Sequence, residues 1–385
     1  MSLSRRALLV TGAASVVVLG GAGSWLTTRT SVSARKPWDL DSKSFGDPRL
    51  DALAYAILAP SPHNMQPWRV RLEGDDALTV FADSDRLLPA TDPPARQTTI
   101  GFGAFLELLR QAAAQGGHAL AVKPFPEGEP YPTLDERPVA QVQFRKDAAV
   151  ERDPLFAQIL RRRTTRAVFA ADRPVDPGTL TGIIEAATEG VHVQASGDPL
   201  RVRELRDLTA KAWLAEWQDP AARGETVVVT RIGKAEVGKA PWGITLDGPL
   251  MSTLGALGVV TREGMDTPGT AAYKGGVESY LDACKSAMAH LWSTTATNTR
   301  LDQLAAGATW VRLQQAATRE GVAFHPLSQP LQEFPAMASH YAWAHAMLAP
   351  EGHTVQMLVR LGYAEAPAQP APREALESKL LPLNS

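Results

Sequence analysis

Residues 103–117 and 307–321 repeat one another at a constant offset of 204, and this repeat limits most strongly what the chain can fold into. Gly103-Ala104-Phe105-Leu106-Glu107-Leu108-Leu109-Arg110-Gln111-Ala112-Ala113-Ala114-Gln115-Gly116-Gly117 matches Gly307-Ala308-Thr309-Trp310-Val311-Arg312-Leu313-Gln314-Gln315-Ala316-Ala317-Thr318-Arg319-Glu320-Gly321 in its opening Gly-Ala, a leucine, Gln-Ala-Ala and the closing glycine. Both copies read as amphipathic helices that end in a glycine cap. Such a repeat calls for two related units, and 385 residues with 44% apolar content suffice for their cores.

The rest of the pattern predicts an α+β chain. An apolar helical stretch at 50–58 is followed by alternating segments Trp68–Glu73 and Ala77–Ala82, joined at Gly74-Asp75-Asp76 as a hairpin. Helix 95–116, strands at 119–123 and 139–144, helix 154–162 and helix 177–188 come next, the last opened by Asp176-Pro177. From 219 to 280 eleven of 62 residues are glycine and no helical stripe runs through most of the stretch, as in a functional lid or a long surface excursion. Strand 286–294, helix 301–320, strand 322–326, helix 335–348 and strand 354–363 complete the pattern. Helices and strands mix without strict βαβ alternation, so the sheet contains antiparallel pairs and is flanked by helices.

Two distant segments are chemically complementary. Ala59-Pro60-Ser61-Pro62-His63-Asn64-Met65-Gln66-Pro67-Trp68 is a proline-fixed turn whose Asn64 and Gln66 carry paired donors and acceptors, suited to an amide-like heterocycle edge. Arg161-Arg162-Arg163-Thr164-Thr165-Arg166 places guanidinium groups around a hydroxyl; if extended, Arg162, Thr164 and Arg166 share one side. Arginine suits a phosphate there because its planar fork pairs two oxygens and stays charged. Alone, the first is an ordinary turn and the second a solvated helix end. Together they match FMN, with its dianionic phosphate and its hydrogen-bonding ring.

The two segments resemble those of the nitroreductase-like FMN proteins, whose site takes Arg-x-Ser-x-Arg/Lys from one protomer and Pro-Ser-x-x-Asn-x-Gln-Pro-Trp from the other. The chain is more closely similar to their tandem, Acg-like branch, in which two such units are fused; the resemblance spans about 45–375, with Thr164 in place of serine. It implies a nitroreductase-like sheet flanked by helices and two tandem units forming a pseudo-dimer, one at 45–150 and one at 151–375 with the glycine-rich insert at about 219–280. The first unit has no arginine segment before Leu50, and the second has no Asn-x-Gln-Pro-Trp after Ile184-Glu185-Ala186-Ala187, which leaves one flavin site per chain.

The resemblance further implies FMN-binding roles for Ser61, Asn64, Gln66, Arg162, Thr164 and Arg166. By position it adds Ser328, in the loop that brings backbone groups to the flavin N5 side, and Arg373, as a second phosphate-binding cation. The implied activity is hydride transfer from NAD(P)H or another electron donor, through flavin N5, to a nitroaromatic or quinone. The flavin does this chemistry, so no side chain is named as catalytic. The alternative is a non-catalytic FMN-binding or sequestering protein with a lidded site.

At the N-terminus, Ser4-Arg5-Arg6 precedes an apolar stretch from Ala7 to Leu26 and small residues Val32-Ser33-Ala34. This resembles a twin-arginine export signal occupying 1–34, which makes the Tat export machinery a partner and the periplasm or the outer face of the cytoplasmic membrane the destination. About twenty apolar residues could also stay in the bilayer as an uncleaved anchor. Net charge of −2 gives no reason to expect nucleic acid as partner, and the single Cys284 excludes an internal disulfide and a cysteine-based metal cluster. The phosphate-loop lookalike Gly233–Lys239 fails because Ala240 replaces the metal-binding hydroxyl. Gly101-Phe102-Gly103 lacks the third glycine of a dinucleotide fingerprint, and no Gly-x-Ser-x-Gly surrounds Ser61. His340, His345 and His353 have no metal-site spacing, and Trp213 and Trp217 read as helical packing.

Overall fold

The computed structural model describes residues 33–41 and 43–382. Helix α1 (Pro48–Ala56) begins where the Asp47 carboxylate accepts from the Arg49 N–H and Pro48 fills the first turn. Strands β1 (Trp68–Glu73) and β2 (Ala77–Ala82) form the expected hairpin, with Trp68 opposite Ala82 and Glu73 opposite Ala77. Helix α2 (Arg96–Gln115) leads to β3 (His118–Pro124) and β4 (Ala140–Lys146), completing an antiparallel sheet of order β1-β2-β4-β3.

The second half reproduces this order. After α3 (Pro177–Ile184), the strands β5 (His192–Ser196), β8 (Ala289–Thr295), β9 (Ala323–Pro326) and β10 (Thr354–Gly362) pair antiparallel as β5-β8-β10-β9. In each sheet the first strand in sequence lies beside the second, the second beside the fourth, and the fourth beside the third. Helix α10 (Arg300–Arg319), started by a Thr299/Asp302 capping box, stands where α2 stands in the first half. Gly117 and Gly321 take the left-handed turn just beyond the two helices, at φ +72° and +70°.

The two helices pack on each other with the same offset of 204 that the sequence shows. Gln111 and Gln315 exchange side-chain hydrogen bonds at 2.7 and 3.1 Å. A Cβ on Gly103 would stand 2.0 Å from Leu304 O, and one on Gly307 1.9 Å from Ile100 O, so only glycine permits either approach. Ile100 lies in the core of the second sheet with Leu291, Phe324 and Val359, while Leu304 lies in that of the first with Trp68, Phe102 and Val142. Pressed between its own sheet and the other helix, α2 is buried almost all round and is not the amphipathic helix that its sequence suggests.

Two further expectations change, and one helix was not foreseen. Residues 154–162 form only a short 3-10 turn, Pro154–Gln158, before the chain extends. Helix α4 (Pro199–Gln218), capped by Asp198, was legible from Asp198-Pro199, since Asp176-Pro177 has the same form. The stretch 219–280 is largely helical: α5 (Pro220–Val228), α6 (Gly233–Lys239), α7 (Pro249–Ala256), α8 (Arg262–Asp266) and most of α9 (Ala271–Lys285), with a parallel pair β6 (Thr230–Ile232) and β7 (Ile244–Leu246). These short helices break at glycines and take much of their stability from packing around Trp213, Trp217, Val227 and Met265, which a search for long stripes misses.

After β10 the chain returns to the first half. Arg373 N–H donates to Ala34 O at 2.8 Å, and Leu381 N–H to Val70 O at 2.7 Å beside a parallel bridge from Val70 to Leu380. This C-terminal strap ties the two sheets into one body. The twin arginines and apolar stretch lie outside the described residues; Ala34, at the expected cleavage position, is buried. Among the described residues no helix is long and apolar enough to cross a membrane.

Candidate functional site

A cavity of about 510 Å³ lies where the two halves, the 219–280 stretch and the C-terminal strap meet. That volume is in the range of small-molecule sites. It is lined by Ser61, Asn64, Arg162, Thr164, Arg166, Ser328 and Arg373, seven of the eight residues singled out from sequence. A larger groove of about 630 Å³, near Glu107, Arg110, Asp153 and Arg312, is more open, and these four charges already pair with one another.

One end of the cavity is cationic. The 162–166 segment is extended because Thr165 N–H donates to Phe324 O at 3.0 Å on β9, leaving Arg162 and Thr164 on the cavity side. The guanidinium carbons of Arg162, Arg163 and Arg373 stand 5.4, 5.0 and 5.5 Å from the Trp38 ring centroid. Trp38 is held by Nε1–H donating to Ala371 O at 2.8 Å, and Arg35 joins the strap to Asp247 by donating to Pro370 O at 2.7 Å and pairing with the carboxylate at 2.9 Å. Among the described residues no carboxylate pairs with Arg162, Arg163, Arg166 or Arg373.

This crowding leaves an electrostatic deficit. Burial, then the neighbouring Arg373 and Arg163 charges, drive the Arg162 pKa far below its ordinary value, and burial with Arg163 pulls Arg373 down to about 9. Arg162 donates to Gln314 Oε1 at 3.0 Å and to Leu58 O, yet its Nε has no partner; the buried Arg373 Nε and Arg35 Nη1 also lack one. Buried guanidinium groups that line one cavity, each with an orphaned N–H donor, and with no carboxylate on Arg162 or Arg373, are the donor set that a phosphate requires, so the residues present fit the phosphate of FMN.

Arg162, Thr164 and Arg166 line the same cavity, but Arg166 is not among the charges that act on Arg162. Its charge acts instead on His63, Tyr280 and His325. The wall around Tyr280 is aromatic: Trp213 stacks on Tyr280 at 4.3 Å, and Trp217, Trp310 and Met357 also line the cavity. Trp213 and Trp217 pack as expected but also face the cavity. Glu216, missed from the sequence, lines the cavity nearly fully buried with Oε2 unpartnered, and burial raises its pKa to about 7.

The turn at 61–66 holds three non-glycine residues at positive φ, His63 (45°), Asn64 (57°) and Gln66 (52°), a sparsely populated backbone that its surroundings must enforce. Ser61 Oγ accepts from Gln66 N–H at 2.9 Å, and Gly243 N–H donates to Asn64 O at 3.1 Å. The expected ring-edge amides have other partners here. Gln66 is fully buried and does not line the cavity; its Nε2 donates to Pro241 O at 2.9 Å and its Oε1 accepts from Glu374 N–H at 2.9 Å. Asn64 lines the cavity, but its Oδ1 accepts from Arg373 and its Nδ2 donates to Pro372 O at 3.2 Å. Both amides anchor the strap, Asn64 through Pro372 O and Gln66 through Glu374 N–H, and Gln66 also ties in the 219–280 stretch through Pro241 O. Ser328, at the start of the Gln329–Leu331 turn, faces the cavity beside His325 and Pro326.

No protein-family model matches the chain. Over 121 residues it is 40% identical to acg of Mycobacterium tuberculosis, provisionally named an NAD(P)H nitroreductase, a match that covers 31% of this chain and 35% of that protein. The chain thus spans about a third of the length of that relative. It is 28% identical over 323 residues to Rv3131 of the same organism, also provisionally named an NAD(P)H nitroreductase, covering 83% of this chain and 86% of that one. Among solved structures, an FMN-bound nitroreductase from Bacteroides fragilis matches 58% of this chain and 95% of its own at 18% identity and a TM-score of 0.34. The FMN-dependent nitroreductase NfnB from Mycobacterium smegmatis, in complex with NADPH, matches 56% and 92% at 19% identity and a TM-score of 0.35. The chain is a distant relative of mycobacterial proteins that carry the name of NAD(P)H nitroreductases.

Proposed function

We propose that the chain is an FMN-dependent oxidoreductase of nitroreductase type, built from two tandem units, 45–150 and 151–375, that share one flavin site. The carrying observation is the buried arginine cluster, without carboxylate partners, in a cavity whose wall around Tyr280 is aromatic. Arg162, Arg163 and Arg373 would hold the phosphate, with Thr164 and Ser61 beside it, and the ring would lie toward Arg166 and Ser328. The equal strand orders and the 204-residue offset between α2 and α10 support a fused pseudo-dimer. Bound FMN would supply hydride transfer from a nicotinamide or another donor to an electron-poor nitroaromatic or quinone. The chain's own part is to bind, orient and exclude water. Export by the twin-arginine route belongs to the same proposal.

One observation favours a second reading, that of a sequestering protein. Trp213, Tyr280 and Thr245 with the strap residues Ala368 and Pro370 close around the cavity from two directions, as a lid over the ring would. Absorbance and released-flavin assays on the purified protein test the flavin site: one FMN per chain is expected, and two per chain, or FAD, would refute it. NAD(P)H-driven reduction of a quinone separates the readings, since a sequestering protein turns over slowly until residues 219–280 are shortened.

A further inference from the structure

We propose that His325, locked by Arg360, is a permanently neutral hydrogen-bond donor to an oxygen that gains negative charge when two electrons arrive. That oxygen belongs to the flavin ring's carbonyl edge or to the bound electron acceptor. The inference rests on the flavin reading above.

The lock begins in the sheet register, which sets Arg360 of β10 directly opposite His325 of β9. Arg360 is fully buried, and its Nε donates to His325 Nδ1 at 2.8 Å. The remaining guanidinium hydrogens hold it still: Nη1 donates to Ser286 Oγ at 2.9 Å, and Nη2 donates to Ala167 O at 2.8 Å and Thr165 O at 3.2 Å, with Phe169 stacked 3.9 Å away. A guanidinium has donors and no acceptor, so Nδ1 must present a lone pair. The single proton of the neutral ring then sits on Nε2.

Nε2 makes no bond among the described residues and is not sealed off, while His325 lines the cavity beside Arg166, Tyr280 and Ser328. Tyr280, edge-on to the imidazole at 5.7 Å, directs its own hydroxyl hydrogen to Gln329 Oε1 at 2.8 Å. Burial and the flanking Arg360 and Arg166 charges hold the imidazole far below its ordinary pKa. The ring therefore offers an N–H and takes up no second proton, which suits stabilising a developing oxyanion rather than shuttling protons. His325 would touch the ligand; Arg360 acts through it and is a positioning residue.

Nitrogen NMR of the native, histidine-labelled chain tests the lock without any variant. The His325 signal, assigned by its loss in His325→Phe, should show an Nε2–H tautomer unchanged from about pH 6 to about pH 9. Arg360→Leu should mix the tautomers, and Arg360→Lys should restore the single one. In folded His325→Phe, affinity for reduced FMN should fall about tenfold more than for oxidised FMN, a potential lowered by about 30 mV, and His325→Gln should recover most of it. An unchanged potential with an about tenfold rise in KM for 1,4-benzoquinone would place the oxygen on the acceptor. A protonated Nδ1, or a titration near the ordinary histidine range, would overturn the proposal. So would a folded His325→Phe chain with both potential and quinone kinetics intact. A native chain that takes up no FMN would instead refute the flavin reading itself.

Discussion

Replacing Gly307 by alanine tests the joint that holds the whole arrangement. The added Cβ would stand 1.9 Å from Ile100 O, 2.8 Å from Ile100 C and 2.9 Å from Ala104 N, all backbone atoms that no rotamer change can move. Reaching the 3.0 Å that real Cβ contacts respect needs α2 and α10 to part by about 1.1 Å at the crossing. Overpacking of this kind costs ~1–3 kcal/mol, and a backbone clash belongs at the upper end. Alanine returns ~1 kcal/mol of helix propensity over glycine, leaving a net destabilisation of ~2 kcal/mol. Because Ile100 and Gly101 on one helix and Trp310 on the other line the cavity, its walls should part as well and FMN should bind more weakly. Denaturant unfolding of the FMN-free chain measures the first effect and fluorescence titration the second. Gly224→Ala, on α5 with nothing within 4 Å of its added Cβ, is the control and should stabilise by ~1 kcal/mol. If Gly307→Ala proved as stable as that control and bound FMN normally, the close helix crossing, and the pseudo-dimer argument built on it, would be wrong.

Arg162→Met should weaken FMN about ten- to a hundredfold while leaving riboflavin nearly unaffected, since a hydrogen bond to a charged group is worth ~1.5–3 kcal/mol; equal losses for both flavins in calorimetric titration would assign Arg162 to the ring or the fold. Burial and the Arg163 charge pull the Arg373 pKa down to about 9 in the FMN-free chain, and a bound phosphate dianion would favour its protonated form. FMN affinity should therefore hold steady from neutrality to about pH 8 and fall as the pH rises through about 9, with riboflavin as the control for the ring's own ionisation; a flat FMN profile would contradict the assignment. Glu216 has a folded-state pKa of about 7 against an ordinary value of 4.5, so its contribution is fully present below 4.5 and is lost as the pH rises through about 7. Glu216→Gln should accordingly raise stability by ~2–3 kcal/mol above pH 8 and change little near pH 4, and a gain independent of pH would show that the carboxyl is not held neutral.

Much of the architecture was legible because its signals are local. Strand alternation in Trp68–Glu73 and Ala77–Ala82, the Asp176-Pro177 start and the glycine ends of the repeat helices each express a short-range preference that packing did not override. The matched copies at 103–117 and 307–321 went further: the glycines kept at the same offset are the ones that let the two helices touch. The short helices of 219–280 were harder to see, although Asp219, Thr261 and Thr270 cap three of them, because each is too brief to show a stripe.

By itself, then, the sequence determined the α+β class, the internal repeat and the two half-segments that suit a phosphate and a ring. Only the tertiary structure decided how charge is shared within the cavity. Arg373 meets Asn64 across 309 residues of chain, Arg360 meets His325 across 35, and the charge of Arg166 acts on His325 and Tyr280, far from it in sequence. Asn64 and Gln66, whose residue types suit a ring edge, also hold the C-terminal strap, through Pro372 O and Glu374 N–H. The physical reason is the range of the forces involved. Periodicity and capping act over one or two turns and can be read in order, whereas burial of a charge and its choice of partner depend on which distant surfaces exclude water together.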